Sequence, residues 1–185
     1  MDRRVPSLDM RLPAFVLVAV VAIVGGSVAT AGVATIERPA EADRTARRLP
    51  PAFRADLDPN ERVALELVDL INLERSRLGL PNFQANDQVS AAAMAHAGDI
   101  AARQQLVHVG DDGSDAGTRL DRAGFVWRTW GETVGAEFGT PQPLLGAWLA
   151  SPEHRPLLLG DTTYAGAGVV ATVDNVPYWV LVVAS

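Results

Sequence analysis

The chain of 185 residues contains no cysteine, so a disulfide framework and a thiolate zinc site are both excluded. Lysine is also absent, and all 16 basic residues are arginine. Histidine occurs three times, at His96, His108 and His154, which confines any imidazole chemistry to a few places. No Gly-x-Ser-x-Gly is present, so the strained nucleophile turn of one large hydrolase class is missing. No internal repeat occurs, and the formal net charge is −6. A negative chain is a poor ligand for nucleic acid or for an anionic membrane surface.

Apolar residues make up 48% of the chain, enough for a core in one domain plus extensions. Part of that fraction lies in an N-terminal run. Arg3, Arg4 and Arg11 precede residues 12–36, which carry no charge; Phe15 to Val24 is densely apolar, and Ala29-Thr30-Ala31 follows. A basic start, a short apolar block and an A-x-A site describe a secretory signal peptide over residues 1–31. The alternative is an uncleaved anchor reaching to about residue 36, since 25 uncharged residues are long enough to span a bilayer. Arginines on the N-terminal side place the remainder outside the cytoplasm in either case. Residues 32–57 are rich in proline and arginine and lack periodicity, as a linker does.

The domain is expected at 58–185. Asp58-Pro59 opens a helix as cap and first position, apolar residues continue at helical spacing, and Gly79 and Pro81 close it. A second helix is expected from Asn86 to about Gln104, with His96 on its inner face as a scaffold residue. Residues 108–117 are a glycine- and aspartate-rich loop lacking the ligand spacing of a calcium loop. A short helix follows near Arg119. Phe125 to Val134 is strand-like, and Pro141 to Ala150 is a helix. Ala165–Val173 and Val176–Ala184 form β-branched runs joined at Asp174-Asn175, with Pro177 suggesting an edge strand. This order implies an antiparallel α+β domain with helices on the sheet.

Three polar sites fall in irregular segments: His108, Glu132 in Gly131-Glu132, and His154 in Ser151-Pro152-Glu153-His154-Arg155. Two neutral imidazoles and a carboxylate suit a zinc-like ion with an open position. The same three residues would equally make a hydrogen-bonded cluster bracing loops, with Arg155 near for charge balance. A third option is hydrolysis, by metal-activated water at Glu132 or by a Ser151–His154–Glu132 triad. Serine before proline more naturally caps a turn, and no catalytic residue is assigned.

Seven segments in order carry a resemblance. They are Leu73-Glu74-Arg75, Ala95-His96-Ala97, Val107-His108, Arg119-Leu120, Gly131-Glu132, Trp148 through Ser151-Pro152-Glu153-His154-Arg155, and Gly166-Ala167-Gly168 with Tyr178-Trp179. Together they resemble the short bacterial, sporulation-type branch of the CAP superfamily (SCP-like proteins) over about residues 62–184. The resemblance implies an α-β-α sandwich with a small antiparallel sheet between helical layers. It also implies a mostly secreted, non-enzymatic binding protein for small molecules, lipids or extracellular proteins. Its open cavity, lined here by His108, Glu132 and His154, binds divalent metal in some members. Three positions depart from the pattern: Thr133 replaces the usual asparagine, Glu153 the usual glycine, and Ser151 a second glutamate of larger members. Glu153 is then the candidate for the missing carboxylate.

Overall fold

The computed structural model describes residues 57–185; the leader and nearly all of the linker lie outside the described residues. Helix α1 spans Pro59–Arg77, capped by Asp58, whose carboxylate accepts the Asn60 amide at 2.8 Å. Gly79, at φ +73°, takes the left-handed turn that releases the chain. Strand β1 (Gln84–Ala85) leads into α2 (Asp87–Arg103), which Asn86 caps. Then come α3 (Ala116–Arg122), β2 (Trp130–Ala136), α4 (Pro141–Ala150), α5 (Arg155–Leu159), β3 (Tyr164–Ala171) and β4 (Pro177–Ala184).

The sheet order is β1-β3-β4-β2. The three long strands are antiparallel, as expected, whereas β1 runs parallel to β3 over two residues. A parallel pair needs a long crossover, and the chain between β1 and β3 supplies it with four helices. Pro177 does not mark an edge: β4 is an interior strand, and the proline is tolerated as its first residue. The β3–β4 connection is wider than two residues, running from Thr172 to Val176 with Asn175 at φ +61°. Strand β2 starts later than the aromatic run implies. Phe125 instead packs edge-on against Tyr164, and Trp127 against Trp130.

Alternate residues of β4 face opposite layers, as a pleated strand requires. Val180 and Val182 join α2 and α3 in one core, while Trp179, Leu181 and Val183 join α1, α4 and α5 in the other. The fold is therefore an α-β-α sandwich of the α+β class. Helix α2 sits directly on β3 because Gly166 and Gly168 lack side chains. A Cβ at Gly166 would lie 2.2 Å from the Ser90 amide nitrogen, and one at Gly168 would lie 2.5 Å from Met94 Cα. Opposite, the buried Arg75 ties α1 to α5 through the carbonyls of Leu158 (2.8 Å) and Gly160 (2.9 Å).

Candidate functional site

Strand β2 is an edge strand, yet all seven of its residues are buried. Trp130, Val134 and Ala136 share the face packed by α2 and α3, and Glu132 lies in the same alternating row. Gly131 and Gly135 face the other way, toward Leu157 of α5 and Leu144 of α4. A carboxylate therefore enters an apolar layer, where it needs partners for both oxygens.

It has them. Oε1 of Glu132 accepts from His108 Nδ1 at 2.9 Å, and Oε2 accepts from Arg119 Nη2 at 2.7 Å. Arg119 also donates to the carbonyls of His108 (3.1 Å) and Ser114 (2.8 Å), fixing both ends of the loop after α2. His96 donates from Nε2 to the Val107 carbonyl at 2.8 Å, and the same nitrogen lies 3.6 Å from Glu132 Oε1. His96 lies on α2 as expected, and it borders Glu132 directly. One expectation needs correcting here. Charge balance comes from Arg119; Arg155 instead donates to the Leu149 carbonyl at an exposed position.

Arg119 was not among the sequence-derived site residues. Nothing local marked it, since Thr118-Arg119-Leu120-Asp121-Arg122 reads as a solvated helical turn. Its partner lies 13 residues on and is brought in only by packing.

His154 comes from the other helical layer, in the turn between α4 and α5. It is 2% exposed, and neither ring nitrogen has a partner among the described residues. Its ring tilts against Trp148 with centroids 6.3 Å apart. Burial holds its pKa below the ordinary imidazole value; Glu153 opposes this, and His108 is close enough for its charge to add to the lowering. His96 is likewise lowered, by burial first, with Glu132 opposing.

His108 and Glu132 are thus bonded, and His154 makes no hydrogen bond to either. Among the described residues no three His, Asp or Glu side chains are grouped to hold a metal ion. Nor is a serine triad formed. The Ser151 hydroxyl accepts the amides of Glu153 and His154 at 3.3 and 3.4 Å, as a turn cap does. A cavity of about 490 Å3 opens between α2, the loop at 110–114 and α3; its wall includes His96 and Arg119 but not His108, Glu132 or His154.

These features have counterparts elsewhere. A family model described as CAP: Cysteine-rich secretory protein family matches residues 68–183. The chain belongs to this family. The chain has no cysteine, so no disulfide ties its layers. The uncharacterized protein YkwD of Bacillus subtilis (strain 168) is 27% identical over 106 residues, covering 57% of this chain and 41% of that protein. The chain therefore corresponds to less than half of that relative's length. A solved extracellular protein containing a SCP domain, from Bacillus anthracis str. Ames, superposes with a TM-score of 0.61 at 25% identity, covering 74% of this chain and 44% of the other. An outer surface protein from Borrelia burgdorferi superposes with a TM-score of 0.63 at 21% identity, covering 70% of this chain and 96% of the other. At that identity the likeness shows the fold alone.

Proposed function

We propose that this CAP-family chain is an exported, non-enzymatic binding module. In this reading Glu132 is a brace, and ligand contact falls to His108 and His154. The observation that carries it is the state of His154, a buried imidazole with both nitrogens unpartnered among the described residues. Buried polar groups are normally satisfied, so such a group calls for a partner from outside the chain, a ligand or an ordered water. A carboxylate only accepts, so His108 donates from Nδ1, and in a neutral ring Nε2 is then a lone pair. Glu132 thereby fixes the tautomer of the imidazole that meets the ligand. That is a positioning task, and it does not require a metal.

Export rests on the residue 1–31 leader and agrees with the extracellular and outer-surface relatives. Among the described residues no helix is long and apolar enough to cross a membrane. Attachment to the membrane would therefore fall to the N-terminal run.

Native mass spectrometry of the exported full chain tests both parts. The mature mass is expected to begin at or near Gly32, and a co-purifying small molecule or lipid is expected on the wild type and lost from His154→Ala. Full-length protein recovered only with membranes would replace cleavage by anchoring. An unliganded wild type that binds nothing from spent culture medium would remove the binding reading and leave the bracing one.

A further inference from the structure

The turn between α4 and α5 is fixed at its two ends and loosely held between them. Trp148 and Leu158 are fully buried, and Arg75 grips the Leu158 and Gly160 carbonyls from α1. Within residues 151–155, by contrast, only His154 is buried. Among the described residues every hydrogen bond of that stretch ends on α4, α5 or the turn itself, and none crosses to the sheet. The two bonds accepted by the Ser151 hydroxyl are long, at 3.3 and 3.4 Å.

What lies beneath the turn is short of partners. Seven buried side-chain nitrogens and oxygens lack a hydrogen bond among the described residues, and four of them belong to Thr133, Trp148 and His154. Thr133 alternates along β2 with Gly131, which faces Leu157, and with Gly135, which faces the Trp148 ring, so its side chain points into the same layer. The His154 ring tilts against Trp148 with centroids 6.3 Å apart. With the turn closed, an indole N–H, a hydroxyl and both imidazole nitrogens have lost water without gaining a partner. None of these atoms is accessible, so no molecule reaches His154 while the turn stays closed.

We propose that the Ser151–Arg155 turn is a gate that opens while the rest of the domain stays folded. Opening swings His154 outward and uncovers the Thr133 hydroxyl and the Trp148 indole N–H. All four unmet atoms then find hydrogen-bond partners, and only local bonds and one tilted ring contact are given up. Binding loops are drawn from such weakly held segments. The gate takes its role from the reading of His154 as a ligand contact, on which it rests, and gives the ligand a route to a buried ring.

Acylation of the exported protein by diethyl pyrocarbonate at neutral pH, followed at low conversion by peptide mass spectrometry, reads the opening without any ligand. His96 is the slow reference, because it is buried like His154 but bonded to the Val107 carbonyl. His154 is expected to react at least tenfold faster than His96. Its rate should stay flat in low urea, because a local opening exposes little surface. Amide hydrogen exchange at Arg155 should likewise be at least tenfold faster than at Val180 in the interior strand. Thr133→Val removes one unmet group while keeping its shape, and should slow the reaction of His154 at least threefold. If that variant misfolds, His154→Phe removes two unmet groups and should slow exchange at Arg155 to the same degree. The gate is overturned by a His154 that reacts no faster than His96, or by a rate that climbs with urea as global unfolding does. Exchange at Arg155 as slow as at Val180, or no slowing in a folded variant, also overturns it. A reactive His154 on a protein that binds no ligand removes the binding reading alone, whereas a bound ligand with an unreactive His154 in the ligand-free protein removes the gate alone.

Discussion

Arg119 and Glu132 form a buried ion pair, 2.7 Å from Nη2 to Oε2, that joins α3 to β2 beneath the loop carrying His108. Removing one partner leaves the other charge uncompensated in the core. Arg119→Met is therefore expected to destabilise the domain by about 3–5 kcal/mol, read from urea unfolding at neutral pH. Adding Glu132→Gln to that variant should recover part of the loss, because the stranded charge is gone. Equal stability of the single and double variants would show that packing of the long arginine side chain, not charge, is what matters.

Stability should depend on pH through His96 and His154. Burial lowers both native pKa values below the ordinary imidazole value, so the unfolded chain takes up protons first as pH falls. Their contribution is complete above about pH 6.5 and is lost as pH falls from there through the lowered native values. Unfolding free energy should be level between pH 7 and 8 and fall toward pH 5. His154→Phe should shrink that fall; an unchanged slope would mean that His154 does not titrate across folding.

Glycine at 168 is required by the seating of α2. Gly168→Ala places a methyl against helix backbone, which yields less readily than a side chain. The expected cost is near the upper end of the roughly 1–3 kcal/mol typical of overpacking. Gly98 in the same helix has open space where a Cβ would go, so Gly98→Ala should instead stabilise by about 0.5–1 kcal/mol. Thermal melts of the two variants should move in opposite directions.

Ser151 is a cap. Ser151→Ala is expected to cost about 0.5–1 kcal/mol, the low end reflecting its long bonds. Ester or peptide hydrolysis by the wild type that disappears in Ser151→Ala would contradict this assignment.

Local chemistry was legible in the sequence, and long-range chemistry was less so. Asp58, Asn86 and Gly79 announced helix boundaries because a cap acts within three residues of itself. Gly131-Glu132 and Ser151–Arg155 stood out as irregular segments, but Glu132 lies within β2, and nothing local showed that it would pair with Arg119. The run from Phe125 has the residue types of a strand, but its rings plug the gap beneath α3, and pairing begins only at Trp130. Pro177 misled for a similar reason. Its missing amide excludes the middle of a ladder but not the first rung of an interior strand.

The interior place of β4 also sets an order on assembly. Strands β2 and β3 are made earlier, and in the sheet they touch only through β4, which is last in chain order. A nascent chain that has not reached residue 177 has β3 against which α2 can pack, but no strand to bridge β3 to β2. The sheet is therefore continuous only once β4 inserts between the other two long strands. A chain cut after Ala171 should accordingly lack cooperative unfolding and expose the apolar rows of β2 and β3 to self-association.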